Sequence, residues 1–547
     1  MNGRWLFAIA VFLGSCGTDV TGGPQGNGVA GNGGANGNMG TGGSAGAGGS
    51  LGGSSATSGS GGAGNGGSGG AAGSVPIDVD ESVLQRGKND ARTAHFIQPS
   101  LTMASMNRMA MDVTFKATFS GNMEASPLFV ASTTPGRGLF FAATTKNDIY
   151  ALDETTGAVV WHRNLGAAGH GIRSTPVIDA GGRAIFVAGD FANPTRHEIH
   201  ALSVDTGSEL PGGWPVDASK IVSSDNVTFN SPDQNQRSAL SLVNGVLYVA
   251  FGGYFGDGGN YHGWVIAVDT KNPKSVVGWS SKGSAEGIWA AGGMASDGNG
   301  VFAITGNSHS AHGDHTNSDG EEVLRITDMA VPHRDKANLF YPDIWNSMDS
   351  SDKDFGSCSP LVLAVPGSTP STLLVAPAKP GHVYFLDVNN LGGLAGQLRD
   401  LVVAATNAES VYTAPTAYTT DTGVHVAITT TIGAACPGGA KNSQLLSILL
   451  HPGSPPAPQI MWCATTSDDD EIRRRSPIST TSDGHSNAIV WFMNGSKLNA
   501  FDGNSGAPLY QGGTDLCGGV RRHTSPIAAR GRIVVGADGH LCSWSAH

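Results

Sequence analysis

The chain has 547 residues, 81 of them glycine, and a formal net charge of −12 at pH 7. This length exceeds one ordinary domain, and the acidic charge argues against a nucleic-acid-binding surface, so no nucleic-acid partner is expected. Charged residues make up only 14% of the chain, while Thr, Ser, Val and Gly are plentiful, which favours a β-rich fold over a helical one.

The first residues predict export and a lipid anchor. Arg4 precedes an apolar stretch from Trp5 to Leu13 that is too short to span a bilayer as a helix, and small residues then lead to Cys16. The pattern resembles a lipoprotein signal peptide over residues 1–15, which implies cleavage before Cys16 and lipidation of its thiol. Because Gly17 rather than Asp follows, we expect an outer-membrane lipoprotein of the cell envelope, facing the periplasm or the cell surface. The alternative is an ordinary signal peptide with an incidental cysteine.

Residues 16–74 form a Gly- and Ser-rich stretch with almost no apolar side chains. Such a segment cannot bury enough surface to offset the entropy lost on ordering, so we predict a disordered, flexible linker. It leads into residues 75–110, which show no repeat and are expected to form an irregular lead-in. The repeats occupy residues 111–547.

A short motif recurs through the chain at intervals of about 50 residues, a spacing typical of propeller blades. Each copy places a small or polar residue, usually followed by Pro, before an apolar strand, and further strands separated by Gly or Asp turns follow. Four short strands joined by tight turns make one blade, so the sequence predicts an all-β, eight-bladed β-propeller of four-stranded antiparallel blades. The eight copies are Ser126-Pro127-Leu128, Thr175-Pro176-Val177, Arg237 to Leu240, Ala290 to Ser296, Ser359-Pro360-Leu361, Ala414-Pro415-Thr416, Ser476-Pro477-Ile478 and Ser525-Pro526-Ile527.

The last copy is short, because the sequence reaches His547 before a fourth strand. Near the start of the repeat region, apolar and polar residues alternate from Val113 to Phe119. The alternation predicts an orphan strand. We expect this strand to complete the last blade and close the ring, which removes an exposed sheet edge.

The motif formed by Ala151, Asp153, Thr156, Gly157 and Trp161 resembles the blade-docking motif of the quinoprotein alcohol dehydrogenase family, in which the Trp stacks between neighbouring blades. The resemblance covers roughly Met111 to His547 and implies pyrroloquinoline quinone and Ca²⁺ as possible cofactors. Those dehydrogenases bind the quinone beneath a disulfide between two adjacent cysteines, and this chain has no adjacent cysteines. A Glu/Asn/Asp set for Ca²⁺ cannot be placed residue by residue.

The residues just before the innermost strands are expected to ring the mouth of the central channel. Four of them are arginines, whose planar forks suit carboxylates and phosphates, so the pattern predicts a site for an anionic small molecule or saccharide. The alternative is a ring of Arg–carboxylate pairs that only fills the funnel. The predicted mouth residues are Glu124, Arg173, Arg237, Trp289, Asp354, Tyr412, Arg475, Arg522 and His523.

Two further features concern metal binding and thiols. His309, His312 and His315 are spaced at three in a polar loop, a pattern that fits Zn²⁺ or Cu²⁺, with a solvated loop as the alternative. Five cysteines follow Cys16, and their odd number leaves at least one thiol free or intermolecular.

Together these features predict a membrane-anchored, exported propeller that acts as a ligand-binding or protein-scaffolding module. The anchor and the docking repeats also resemble those of a non-catalytic family member, the propeller lipoprotein of the outer-membrane barrel-assembly machinery, although the eight copies and long loops here depart from its compact form. The expected partners are the membrane, through the lipid, and an anionic small molecule, a saccharide or a protein. The alternative function is a pyrroloquinoline quinone-dependent dehydrogenase of an alcohol or sugar, which rests on fold resemblance alone.

Overall fold

The computed structural model describes residues 76–308, 315–404, 411–430, 436–437, 445–465 and 475–546. The predicted signal peptide, Cys16 and the predicted linker lie outside these residues. The helices within them are α1 (Trp345–Ser350) and the 3₁₀-helices Met103–Arg108, Ala218–Lys220, Ser231–Asp233 and Phe355–Ser357. No helix in this part of the chain is long and apolar enough to cross a membrane.

Three strands precede the repeats: β1 (Ile77–Val83), β2 (His95–Ile97) and β3 (Met109–Met111). Eight sheets then follow along the chain, each forming one blade. Blades 1 and 2 contain β4 (Leu128–Ser132), β5 (Leu139–Ala143), β6 (Asp148–Asp153), β7 (Val159–Asn164), β8 (Ala168–Gly171), β9 (Val177–Asp179), β10 (Ala184–Phe191), β11 (Arg196–Ser203) and β12 (Val216–Asp217). Blades 3 and 4 contain β13 (Ser241–Val243), β14 (Val246–Phe251), β15 (Trp264–Asp269), β16 (Val276–Ser280), β17 (Ala295–Ser296), β18 (Val301–Ile304), β19 (Val323–Thr327), β20 (Val331–Pro332) and β21 (Leu339–Tyr341).

The second half of the ring repeats this arrangement. Blades 5 and 6 contain β22 (Leu361–Ala364), β23 (Thr372–Pro377), β24 (His382–Asp387), β26 (Arg399–Val402), β27 (Thr416–Thr420), β28 (Gly423–Thr429), β29 (Leu445–His451) and β30 (Ala457–Ala464), while β25 (Gly393–Leu394) joins the edge of blade 4. Blades 7 and 8 contain β31 (Ile478–Thr481), β32 (Ile489–Asn494), β33 (Lys497–Asp502), β34 (Pro508–Tyr510), β35 (Ile527–Ala529), β36 (Arg532–Ala537) and β37 (His540–Ala546). The predicted eight-bladed, all-β propeller is confirmed.

The core lies between neighbouring blades, because each sheet buries both of its faces. One cluster joins Val177 and Phe186 of blade 2 to Leu247 and Trp264 of blade 3. The docking motif acts at such a boundary: Trp161 Nε1 donates to Val204 O of blade 2 at 2.9 Å. These boundaries hold the blades at fixed angles and so position the loops at either end of the ring.

Glycine is required where the docking indole packs. A Cβ on Gly207 of blade 2 would lie 2.6 Å from the Trp161 ring, closer than real contacts allow. Gly157 has φ +76°, and Asp153 Oδ1 accepts from Thr156 N at 2.8 Å, so the turn that precedes Trp161 is locally determined. Ala151 is fully buried in β6. Trp462 of blade 6 repeats the arrangement: it packs on Gly506 of blade 7 and donates to Gly503 O at 2.7 Å.

The expected irregular lead-in is in fact bound to the innermost strands of the ring, and we call residues 77–98 the channel segment. β1 pairs antiparallel with β4 of blade 1, and β2 pairs parallel with β31 of blade 7. Between them the carbonyls of the segment accept five hydrogen bonds from inner-strand N–H groups, one each from blades 2, 4, 5 and 6 and one more from blade 7. The donors and acceptors are Ile178 N to Leu84 O (2.8 Å), Ser296 N to Asp90 O (2.8 Å), Val362 N to Ala91 O (2.9 Å), Ala417 N to Thr93 O (2.8 Å) and Ser479 N to Ala94 O (3.0 Å).

The remaining two blades are reached by side chains. Arg92 Nη2 donates to Leu240 O of blade 3 at 2.8 Å, and Gly531 N of blade 8 donates to Gln98 Oε1 at 2.6 Å. The segment therefore contacts the inner edge of every blade, where an unpaired strand edge otherwise exposes its backbone. Ile77 pairs with Ser132 at the end of β4, so the chain enters the ring from the end at which the inner strands finish.

The prediction that Val113 to Phe119 form the fourth strand of blade 8 is wrong. Strand β3, Met109–Met111, pairs antiparallel with β37, whereas Val113 and Thr114 form a turn and only Thr118 bridges to His540. The reason is local: Asp112 Oδ1 accepts from Thr114 N at 3.0 Å, which bends the backbone away from an extended course. Alternation of residue types alone did not detect this turn.

Candidate ligand-binding face of the propeller

In an antiparallel pair, the start of the first strand and the end of the second lie at the same end of the sheet. The residues before each innermost strand and those after each second strand therefore gather on one face of the ring, which we call the mouth face. The Ser/Thr hydroxyls of the repeat motif bind the backbone across blade boundaries there. Ser126 N donates to Thr175 Oγ1 at 2.9 Å, and Ser525 N donates to Ser126 Oγ at 3.0 Å. This role explains the recurrence of Ser and Thr in the motif.

Four of the predicted mouth residues form contacts in two pairs. Arg173 Nε binds Glu124 Oε2 at 2.8 Å across the boundary of blades 1 and 2, with both side chains roughly a quarter exposed. Arg237 Nε donates to the carbonyl of Trp289 at 3.1 Å. Arg173 thus fits the alternative stated for these arginines, an Arg–carboxylate pair, while Arg237 binds a neutral backbone group in this contact.

Asp354 and Tyr412 share a cation that the sequence analysis missed. Lys379 Nζ lies 3.2 Å from Asp354 Oδ2 and 5.6 Å from the centre of the Tyr412 ring. Lys379 follows the second strand of blade 5, β23, and is almost fully buried. The signal that points to such residues is a polar side chain directly after a second strand, not before a first one.

The other three predicted mouth residues belong to blades 7 and 8. Arg475 is buried and donates to Gly495 O. Arg522 and His523 are partly exposed, and His523 has a left-handed backbone with φ +66°. Arg173, Arg237 and Arg475 therefore bind different groups at different places around the ring.

The channel segment contributes two buried cations at the axis that the sequence analysis also missed. Arg86 Nη1 donates to Ser126 Oγ at 2.8 Å and Nη2 to Ser476 Oγ at 3.2 Å, so its guanidinium lies at the level of the repeat-motif hydroxyls. Arg92 donates to Met294 O, Leu240 O and Ser241 Oγ at 2.6 to 2.9 Å, farther along the inner strands. Burial, and then the charge of Arg92, lower the pKa of Arg86 to about 9. Nothing in the sequence pattern of residues 75–110 indicated this placement.

The indole of Trp289 lies in a cradle of glycines on the mouth face. A Cβ on Gly252, Gly287 or Gly306 would approach the ring to within 2.4 to 2.5 Å. Trp289 Nε1 donates to Gly253 O at 2.9 Å, which fixes the ring orientation. The side chain is nearly buried, so it forms part of the wall between blades 3 and 4.

Beside Trp289 the structure brings together a Glu, an Asn and an Asp. Asn307 N donates to Asp354 Oδ1 at 3.2 Å, and Phe355 N donates to Glu321 Oε2 at 2.6 Å. Asn307 Oδ1 and Glu321 Oε1 are buried without a hydrogen-bond partner in the described part of the chain. Burial, and next the charge of Asp354, raise the pKa of Glu321. Unsatisfied hard oxygens next to carboxylates fit Ca²⁺, so these three residues are the ones that would hold the ion.

The quinone itself fits the described residues less well than the cation. The disulfides are Cys436–Cys463 and Cys517–Cys542, with sequence separations of 27 and 25 residues, so neither joins adjacent cysteines. Cys358 is the remaining described thiol; it is buried and its Sγ lies 3.2 Å from Val411 O. The family's covering disulfide therefore has no counterpart in this chain.

The predicted histidine metal site falls mostly outside the described residues, which include His315 but not His309 or His312. His315 stacks on Tyr341 with ring centres 4.0 Å apart and meets Trp345 edge-on at 4.1 Å. Among the described residues, one group of three possible ligands lies together, Cys517, His540 and Cys542. Its two sulfurs are joined to each other, and a disulfide is a poor metal ligand because metals bind the thiolate.

Comparison with known proteins establishes the fold. No family model matches the chain, and no curated protein matches it. Among solved structures, a quinohemoprotein alcohol dehydrogenase from Comamonas testosteroni is 13% identical with a TM-score of 0.57, covering 85% of this chain and 80% of that one. A quinohemoprotein alcohol dehydrogenase from Pseudomonas putida HK5 is 11% identical with a TM-score of 0.60 and the same coverages. A europium-containing methanol dehydrogenase is 14% identical with a TM-score of 0.55, covering 83% and 89%.

At these identities the likeness concerns architecture. The chain has the eight-bladed propeller fold of the quinoprotein alcohol dehydrogenases, as its docking motif suggested. Activity has to be argued from the site, because one fold carries many functions.

Proposed function

We propose that this protein is an exported, membrane-anchored propeller that binds an anionic small molecule, such as an acidic saccharide, at its mouth face. The observation that carries the proposal is Arg86. The residue is 5% exposed, and the hydrogen-bond partners of its guanidinium in the described chain are the neutral hydroxyls of Ser126 and Ser476.

A nearly buried cation held by neutral acceptors is electrostatically costly. The pKa of about 9 keeps Arg86 protonated at neutral pH, and Arg92 adds a second positive charge nearby. A carboxylate at the mouth supplies the missing counter-charge through charge-assisted hydrogen bonds, which are the stronger kind in proteins. Glu124 and Arg173 each lie two residues before Ser126 and Thr175, whose hydrogen bond joins the two motif copies, so this ion pair lies on the same face as Arg86.

The test is the binding of galacturonate to wild-type protein and to Arg86→Gln, measured by calorimetry on variants that retain the wild-type melting profile. We expect Arg86→Gln to weaken binding by about tenfold or more, and Arg86→Lys to weaken it less. Arg137→Gln is the matched control, because it removes one exposed positive charge from the opposite end of blade 1. Failure of millimolar galacturonate to bind the wild type, or equal loss in Arg137→Gln, contradicts the proposal.

The anchor is tested by Cys16→Ser in the native host. We expect the variant to leave the membrane fraction for the soluble fraction, because stable attachment depends on acyl chains. Fractionation in high salt, with the wild type and a surface variant such as Lys116→Ser alongside, checks this. If Cys16→Ser still sediments with membranes, the proposed lipid anchor is wrong.

A second candidate function, a quinone-dependent dehydrogenase, is favoured by one observation: the unpaired buried oxygens of Asn307 and Glu321 beside Asp354. These residues would hold Ca²⁺, and the cations Lys379 and Arg86 would meet the carboxylates of the cofactor. Bound quinone supplies a two-electron acceptor for an alcohol or sugar. Incubation with pyrroloquinoline quinone and Ca²⁺ distinguishes the candidates: retained quinone absorbance and dye reduction, both lost in Asn307→Ala, support the dehydrogenase, and absence of retained quinone excludes it.

A further inference from the structure

A second group of side chains lies on the mouth face between blades 2 and 3. His170 is in β8, Asp190 lies near the end of β10, and Tyr254 follows β14. Asp190 Oδ2 accepts from the Tyr254 hydroxyl at 2.6 Å and binds His170 Nδ1 at 2.8 Å. The His170 and Tyr254 rings lie 4.4 Å apart. Three different strands or loops thus hold one imidazole in place.

The hydrogen bonds determine which nitrogen of His170 carries the proton. Burial acts against ionisation of Asp190, but its polar neighbours lower its pKa, and the hydrogen bond from His170 is the largest of their contributions. An ionised carboxylate only accepts hydrogen bonds, so Nδ1 of His170 must be the donor. In the neutral ring Nε2 is then a hydrogen-bond acceptor. The side chain is 57% exposed, so this acceptor faces solvent.

Arg173 stands three residues after His170, and its charge acts on the same Tyr254 phenol. Its Nε is taken by Glu124, while its two Nη groups make no hydrogen bond within the described residues. A fixed acceptor, His170 Nε2, and two charged donors, the Nη groups of Arg173, therefore lie on the same wall of the mouth face, beside Tyr254. The Ser126–Thr175 hydrogen bond connects this wall to Arg86 at the axis.

We propose that His170 and Arg173 form a subsite for a ligand that carries both a hydroxyl and an acid group, with a uronic acid as the representative chemistry. The inference rests on the proposed anion-binding function and adds the requirement for hydroxyl recognition. His170 Nε2 accepts from the ligand hydroxyl, and Arg173 binds the carboxylate. Asp190 is a positioning residue, since it acts by holding the tautomer of His170.

The test compares three probes by calorimetry. Galacturonate carries both hydroxyls and an acid group, galactose carries hydroxyls alone, and propionate carries the acid group alone. We expect His170→Ala to weaken galacturonate binding by about tenfold without changing propionate binding, and Arg173→Ala to weaken both. Asp190→Asn, whose amide can donate to Nδ1 and turn Nε2 into a donor, should match His170→Ala while the ring remains. His170→Gln retains an acceptor and should recover part of the loss.

His162 offers a matched control. It also binds an Asp, with Nε2 2.8 Å from Asp148 Oδ1, stacks on Tyr150 at 4.4 Å and is 43% exposed, but it lies on the outer strand of blade 1. His162→Ala should bind all probes as the wild type does. If galacturonate binding falls in Arg86→Gln but not in His170→Ala, the subsite is wrong and the proposed function stands. If the wild type binds no galacturonate, both are wrong.

Discussion

A chain that begins at residue 99 is expected not to fold, whereas a chain that begins at residue 75 should melt at the temperature of the full-length protein. The longer deletion removes the channel segment and with it the acceptors of five inner-strand N–H groups, from Ile178 to Ser479. Each buried donor left without a partner costs about 1–3 kcal/mol. Their sum is comparable to the whole stability of a typical protein, about 5–15 kcal/mol.

Circular dichroism melting and size-exclusion chromatography of the two truncations check this expectation. A peptide spanning residues 75–98, added during refolding, should restore soluble protein to the shorter chain, because its backbone supplies the same carbonyls. A scrambled peptide of equal composition is the control. A shorter chain that is monomeric and melts like the full protein would show that the segment is dispensable.

His197→Phe is expected to make the protein more resistant to acid. His197 is buried between the rings of Phe229 and Phe251, at 5.8 and 5.5 Å, and neither ring nitrogen has a hydrogen-bond partner in the described chain. Burial lowers its pKa from 6.5 to about 4. The folded protein therefore keeps His197 neutral while the unfolded chain binds a proton, so stability is lost as the pH falls from about 6.5 to about 4.

The size of this contribution follows from the shift: on the order of 3 kcal/mol is lost by pH 4. Phe cannot bind the proton and has no polar atoms to leave unpaired, so His197→Phe should melt higher than the wild type, with a gap that widens toward pH 4. Urea denaturation at pH 7, 5.5 and 4.5 measures the difference in unfolding free energy between the two proteins, with His162→Phe at an exposed position as control. His95 and His425, whose pKa values burial also lowers to about 4, keep part of the acid sensitivity in both proteins. An equal pH dependence of wild type and His197→Phe would contradict the assignment.

Much of the architecture could be predicted because its signals are local. The number of blades follows from the eight motif copies, and the turn before Trp161 from the Asp and Gly that form it. The mouth residues were predicted from one positional rule, the position just before an innermost strand. The structure brings Arg173 to Glu124 and Arg237 to Trp289, but gives each its own partner. Lys379 obeys a second rule, the position after a second strand, which the sequence analysis did not apply.

The amino-acid sequence by itself determined the repeat, the blade-docking motif and the β-rich class, because alternation, turn residues and Pro spacing act over a few residues. Only the tertiary structure decided where residues 77–98 lie, and their position places Arg86 at the axis. The tertiary structure also decided which side chains meet around Trp289 and His170. The physical reason is that the channel segment binds mainly through backbone carbonyls, which every residue carries, so no side-chain pattern marks it. The partners of His170 and Arg86 lie on separate blades, and their meeting depends on the angle at which whole sheets pack.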